Sequence, residues 1–165
     1  DLVRSRGLGD VYKRQQTNKV KTALQTFDII HSLDRAQLAE ELHRRAIEAE
    51  WAVPVLVEVN VAGEASKYGL APGEVVEFIR RVSGLDGLRV QGLMTIAPFV
   101  DNPEEVRPVF RGLRDLASHV RGEGIPGVEM KYLSMGMSGD FEVAVEEGSN
   151  LVRVGTAIFG ARPAR

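Results

Sequence analysis

Residues 54–61 read PVLVEVNV, and the fold follows from how they alternate. Val55, Val57, Val59 and Val61 alternate with Leu56, Glu58 and Asn60, the period of two that marks a β-strand. The valine face suits a packed layer. The other face carries a carboxylate and an amide. If helices cover the valines, Glu58 and Asn60 point the opposite way, into the interior of a barrel. A carboxylate there needs a partner, because an unpaired buried charge is costly. A structural ion pair meets that need as well as a functional role does.

Strand-like and helix-like segments alternate on both sides of this stretch. NKVKTALQ at 18–25 reads as a short helix and TFDIIHS at 26–32 as a strand. Asp34 is a good N-cap for a helix carrying Leu38, Leu42, Ala46 and Ala49. Residues 63–69 form a loop, and Pro72 opens a helix with Val75, Val76, Ile79 and Val82 on one face. LRVQGLMTI at 88–96 is a strand, and Pro103 opens a helix bearing Val106, Phe110, Leu113, Leu116 and Val120. Residues 132–137 are a fourth strand. Ser138 can cap a short helix with Asp140 in its first turn and Gly148 near its end. NLVRVGTAIF at 150–159 is the fifth strand.

Strands alternating with helices imply parallel β-α units, which either close as an eight-unit barrel or lie open as a doubly wound sheet. No strand is followed by a dinucleotide fingerprint. A full barrel needs roughly 250 residues, and the chain has 165. The expectation is an α/β fold, a partial (β/α) barrel of about five units out of eight.

Composition excludes several classes. Charged residues are 27% and apolar ones 44%, ordinary values for a globular domain. No apolar run approaches the roughly 18–20 residues of a membrane span. The absence of cysteine excludes disulfides, thiol catalysis and cysteine-ligated metal. With 21 basic and 23 acidic residues the net charge is −2, which gives no pull toward nucleic acid or anionic lipid. No secretory segment is apparent, so a cytoplasmic location is expected.

Residues 1–15 (DLVRSRGLGDVYKRQ) fit neither period and look like a non-native leader, leaving 16–165 as the barrel domain. Gly7 and Gly9 lack the flanking strand and helix of a phosphate loop.

Ligands of parallel α/β folds sit at the carboxyl ends of strands. There the chain places His31, Asn60, Met94, Ser134, Gly136, Met137, Ser138, Arg153, Gly155 and Thr156. Small residues let the backbone approach a ligand, hydroxyls bond it, and a following helix offers free N–H groups. A tight strand-to-helix turn with a serine cap would use the same residues. Arg153 suits an anion or a ring nitrogen, and equally a salt bridge to Glu58. Lys67 reads as a surface-loop lysine or as an amine near the site. His43 and His119 read as solvated, His31 is ambiguous, and no metal-ligand spacing is present.

QTNKVK (16–21), IIHSLD (29–34), PVLVEVNVAGEASKYG (54–69), GLMTIAP (92–98), LSMGMSGDFEVAVEEG (133–148) and VRVGTAIFGAR (152–162) closely resemble the pyridoxal phosphate homeostasis (YggS-like) proteins. The resemblance implies the barrel of alanine racemase without its second domain. It implies pyridoxal 5′-phosphate held as a Schiff base, with no established turnover, in a role in vitamin B6 homeostasis and amino-acid balance. It places the phosphate on Ser134, Ser138 and the Gly155-Thr156 backbone, with Gly136 and Met137 alongside, and Arg153 near the pyridine nitrogen. Lys67 matches a second, non-anchoring lysine, and His31, Asn60 and Met94 would line the pocket.

The family's Schiff-base lysine ends the first barrel strand, upstream of QTNK. No lysine of this chain corresponds to it; Lys13 and Lys19 are not substitutes. The expectation is therefore a C-terminal piece carrying strands four to eight, with no catalytic residue of its own. Its partners would be pyridoxal phosphate and apoenzymes that use it, with no nucleic acid and no membrane. The parent would be a monomer and the piece prone to self-associate. An amino-acid racemase of the same superfamily is the alternative, but it needs a second domain with a tyrosine base. A ligand-free interaction module would have no use for an anion cradle.

Overall fold

The computed structural model describes residues 20–64 and 67–160. The expected leader, residues 16–19 with Lys19, the Ala65-Ser66 pair and Ala161-Arg162 lie outside the described residues. Five strands form one sheet: β1 (Ile30–Leu33), β2 (Val53–Glu58), β3 (Leu88–Met94), β4 (Tyr132–Met137) and β5 (Leu151–Arg153). Their order in the sheet is their order in the chain, and every neighbouring pair is parallel. The helices are α1 (Val20–Thr26), α2 (Ala36–Glu48), α3 (Val75–Ser83), α4 (Arg107–Gly122), α5 (Phe141–Glu146) and α6 (Thr156–Phe159). From α2 to α5, one helix connects each strand to the next, the β-α repeat expected of a partial barrel.

The valine face is buried as far as Val59, but β2 ends at Glu58, and Val61 lies in the turn beyond it, only partly buried. Val53, Val55, Val57 and Val59 are buried in one core with Leu38 and Leu42 of α2, Ile79 of α3 and Phe110 of α4. Each such side chain contributes about 1.5–3 kcal/mol by leaving water. Leu56, Glu58 and Met94 are also buried but lie outside that core, on the opposite face of the sheet. Both faces of the sheet thus bury side chains.

Where β3 passes β4, Gly92 pairs with Tyr132. A Cβ at Gly92 would lie 1.9 Å from the Tyr132 carbonyl oxygen, so only glycine permits the approach.

Several boundaries differ from the sequence reading. Thr26 ends α1 rather than starting a strand: its hydroxyl donates to the Thr22 carbonyl at 2.7 Å and the Phe27 N–H to Ala23 at 2.9 Å. Asp34 does not cap α2, which begins at Ala36 behind an extended Arg35. Instead, buried Asp34 pairs with Arg35 at 2.9 Å. The helices after Pro72 and Pro103 each open with a short 3-10 turn. His43 is not simply solvated, because its Nδ1 accepts the Gly87 N–H at 3.1 Å and secures the turn into β3.

The fifth strand is the largest revision. β5 stops at Arg153, and Thr156–Phe159 is helical. Nor does Ser138 cap α5, which begins at Phe141 after Asp140. The Ser138 hydroxyl is used at α6 instead.

Candidate cofactor-binding site

The carboxyl ends of β1, β3, β4 and β5 bring together side chains far apart in sequence. His31 Nδ1 lies 3.0 Å from Ser134 Oγ. These residues stand on β1 and β4, three inter-strand steps apart, which in a flat sheet would separate them by about 14 Å. The sheet must curve for the side chains to meet across its concave side. Arg153 completes the cluster. Its Nη1 donates to Ser134 Oγ at 2.6 Å and its Nη2 to the Thr95 carbonyl at 2.8 Å.

Burial sets the electrostatics of this cluster. Ser134 is fully buried. Desolvation pushes the His31 imidazole down to about 4, and the Arg153 charge adds to the shift. Desolvation also lowers Arg153 below the ordinary arginine value, while the carboxylates of Glu58 and Asp140 oppose that shift. Of the two opposing carboxylates, Glu58 at the end of β2 acts on Arg153 the more strongly.

A second cluster lies beside it. The Gly155 N–H and the Ala157 N–H both donate to Ser138 Oγ, at 3.1 and 3.2 Å. A hydroxyl from the β4–α5 loop thus satisfies two backbone donors at the start of α6, which would otherwise lack partners. The loop is shaped by two neighbours. Asp140 Oδ1 accepts the Met137 N–H at 2.6 Å. Gly136 has φ +92°, and a Cβ there would sit 2.6 Å from Ala144 Cβ and 3.0 Å from Phe141 Cα. A cleft of about 340 Å³ opens next to Ser138, between Pro103-Glu104 and the Gly139–Val143 segment.

The expected pocket residues divide. His31, Ser134 and Arg153 form one cluster; Ser138, Gly155 and an exposed Thr156 form the other. Met94 is buried at the end of β3, paired in register with Glu58 and Ser134. Asn60 does not point inward from a strand. The chain has turned there, and its amide closes its own loop, donating to the Glu64 carbonyl at 2.8 Å and accepting the Glu64 N–H at 3.2 Å. Lys67 tethers the same loop, with Nζ donating to the Ala97 carbonyl at 3.2 Å and pairing with Glu64 at 3.2 Å.

Sequence reasoning put Thr95 at the end of its strand without giving it a part in the site, and it missed Asp140 there. Thr95 is buried, its hydroxyl donating to the Val59 carbonyl at 2.7 Å while its own carbonyl receives Arg153. For Thr95 the signal was a polar residue beside Met94 at a strand end. For Asp140 it was an acid two residues after Ser138. Among the described residues no group of three His, Asp or Glu is arranged to hold a metal ion, and no helix is long and apolar enough to cross a membrane.

A family model described as alanine racemase, N-terminal domain, matches residues 10–163. The chain belongs to that family. Among its members, the chain is 48% identical over 149 residues to the pyridoxal phosphate homeostasis protein of Aquifex aeolicus, covering 90% of this chain and 64% of that protein. It is 38% identical over 148 residues to the protein of the same name from Escherichia coli, covering 89% and 62%. The chain thus spans a little under two thirds of the relatives it matches. PipY of Synechococcus elongatus, solved with PLP bound, superposes with a TM-score of 0.79 at 35% identity, over 88% of this chain and 66% of that one. An alanine racemase of Clostridium difficile superposes with a TM-score of 0.71 at 15% identity, over 93% of this chain and 39% of that one, a likeness of fold alone.

Proposed function

We propose that this chain binds pyridoxal 5′-phosphate at the carboxyl ends of β4 and β5, as a non-catalytic carrier in vitamin B6 homeostasis and amino-acid balance. Apoenzymes that use the cofactor are its recipients in this reading. The names of the relatives and the PLP-bound PipY structure support the choice of ligand.

The observation that carries the proposal is the convergence of the Gly155 and Ala157 N–H groups on one oxygen, Ser138 Oγ. A phosphate is an acceptor with several oxygens, and such donors suit it. Space is open on the same side, since a Cβ at Gly155 would meet nothing within 4 Å. The residues fit the group. Ser138, Gly155 and Thr156 would hold the phosphate, one of whose oxygens would replace Ser138 Oγ as acceptor of the Gly155 and Ala157 N–H groups. Gly136 and Met137 would shape the loop, because the Met137 N–H is already held by Asp140. Ser134 differs from the expectation: its hydroxyl is engaged by Arg153 and His31, so its part is to orient Arg153.

Arg153 would face the ring nitrogen. When bound, the cofactor supplies an aldehyde and a pyridine ring whose electron-withdrawing power depends on protonation at nitrogen. Arginine keeps its protons and has no acceptor atom. It therefore holds the ring in place without protonating it, which suits storage and transfer better than turnover.

Calorimetry with pyridoxine 5′-phosphate and with inorganic phosphate tests this. Ser138→Ala should weaken both ligands by tenfold or more, and Arg153→Ala should weaken the pyridoxine compound alone. Unaltered binding in both variants would overturn the assignment.

A further inference from the structure

We infer that His31 is a positioning residue, acting through the Ser134 hydroxyl to fix the Arg153 guanidinium at the carboxyl end of β5. The inference follows from counting donors and acceptors at one buried oxygen. Ser134 Oγ carries one proton and two lone pairs. Arg153 can only donate, so one lone pair receives its Nη1 at 2.6 Å. His31 Nδ1 lies 3.0 Å away. If that nitrogen carried a proton, both neighbours would donate to Ser134, and its own proton would need a third partner in a fully buried place. Leaving a buried hydroxyl unsatisfied is unfavourable. If the nitrogen is bare, Ser134 donates to His31 and accepts from Arg153, and every group is used once. The imidazole proton then sits on Nε2. A hydroxyl that donates on one side is also a better acceptor on the other.

The electrostatics agree with the geometry. Burial and the Arg153 charge both oppose protonation of His31. Among the described residues the charged groups acting on this cluster are Arg153 from β5, Glu58 from β2 and Asp140 from the β4–α5 loop; β3 and β4 present Thr95 and Ser134, which are neutral. The guanidinium is therefore gripped by two supports, the Thr95 carbonyl and a hydroxyl whose direction is set from β1. Protonating His31 would turn Nδ1 into a donor and aim two cations at one hydroxyl. The grip on Arg153 is lost in that state.

The experiment reads the positions of protons and of the arginine directly, with the full chain labelled with nitrogen-15. In the unmodified protein the His31 ring should show the Nε2–H tautomer and stay neutral down to about pH 5. The Arg153 Nη–H signals should be resolved and slow to exchange. His31→Phe should collapse the Arg153 signals into one averaged resonance, whereas His31→Asn, which can still accept from Ser134, should largely preserve them. An Nδ1–H tautomer in the unmodified protein would overturn the inference without any variant. So would Arg153 signals unchanged in His31→Phe. In its ligand arm alone the inference rests on the function proposed above: His31→Phe should weaken pyridoxine 5′-phosphate about fivefold or more and leave inorganic phosphate unchanged. Equal affinity of His31→Phe and the unmodified protein for the pyridoxine compound would overturn the inference. Failure of the unmodified protein to bind either ligand would overturn the proposed function, while the tautomer and the Arg153 signals would still decide the role of His31.

Discussion

Ser138 and Gly155 are seventeen residues apart, and the hydroxyl of one accepts the N–H of the other at 3.1 Å. The contact joins the loop after β4 to the turn after β5. It also explains why β5 is short: at Gly155 the chain finds an acceptor outside the sheet and turns into α6 instead of extending.

Ser138→Ala removes that acceptor from two N–H groups. The cost should be about 1–2 kcal/mol of local stability. Hydrogen exchange at Gly155 and Ala157 should accelerate at least several-fold, with the amides of β2 and β3 unaffected. Equal acceleration throughout the sheet would mean that the contact supports the whole fold and not the turn.

Gly136→Ala places a methyl group 2.6 Å from Ala144 Cβ at a φ of +92°. Overpacking and backbone strain together should destabilise by about 2–4 kcal/mol. The expected readout is a lower urea midpoint and loss of phosphate binding, because α5 and the Ser138 loop shift together. A midpoint within error of the unmodified protein would show that α5 yields freely.

The depressed His31 gives a signed pH dependence. Folded His31 titrates at about 4 against an ordinary value of 6.5. As pH falls below about 6.5 the unfolded chain takes up the proton first, so stability falls with falling pH until about 4. Above this window the contribution is constant. The full difference is at most roughly 3–4 kcal/mol. Urea unfolding of the unmodified protein and of His31→Asn, compared from pH 7.5 to pH 4, isolates it from the carboxylates. A gap between the two proteins that does not change with pH would show that His31 titrates as an exposed histidine.

Among the described residues β1 and β5 each have one edge without a neighbouring strand. Near the β5 edge, Val152, Ile158 and Phe159 are exposed, Phe159 at 79%. Open edges and apolar surface favour pairing between chains. Sedimentation should show association that rises with concentration and is reduced in an Ile158→Lys, Phe159→Glu double variant. A single monomeric species across the accessible range would refute this.

The period-two pattern at 54–61 was enough to place β2, its valine core as far as Val59 and the interior position of Glu58, but it ran past the strand's end and carried Asn60 and Val61 with it. The prolines at 72 and 103 marked helix starts correctly, because proline suits a first turn whether that turn is α or 3-10. Local pattern failed where long-range hydrogen bonds decide. NLVRVGTAIF has a strand's composition, yet its second half is helical and its first N–H groups are accepted by the Ser138 hydroxyl, distant in sequence. Asp34 has the chemistry of a cap but spends it on Arg35. The residues that converge at the site were legible as a set of strand ends. Their division into two clusters was not, since it depends on curvature that brings β1 across to β4.

The sheet follows chain order from β1 to β5. Each pairing joins segments that are consecutive along the polypeptide, so a ribosome can deliver the strands in the order in which they zip together. Residues 153–157, which supply Arg153 and both N–H groups for Ser138, come after the first four strands. A phosphate held as proposed above would meet its full set of partners only once those residues have been made. The binding residues proposed here would thus be completed only after the other four strands of the sheet have been made.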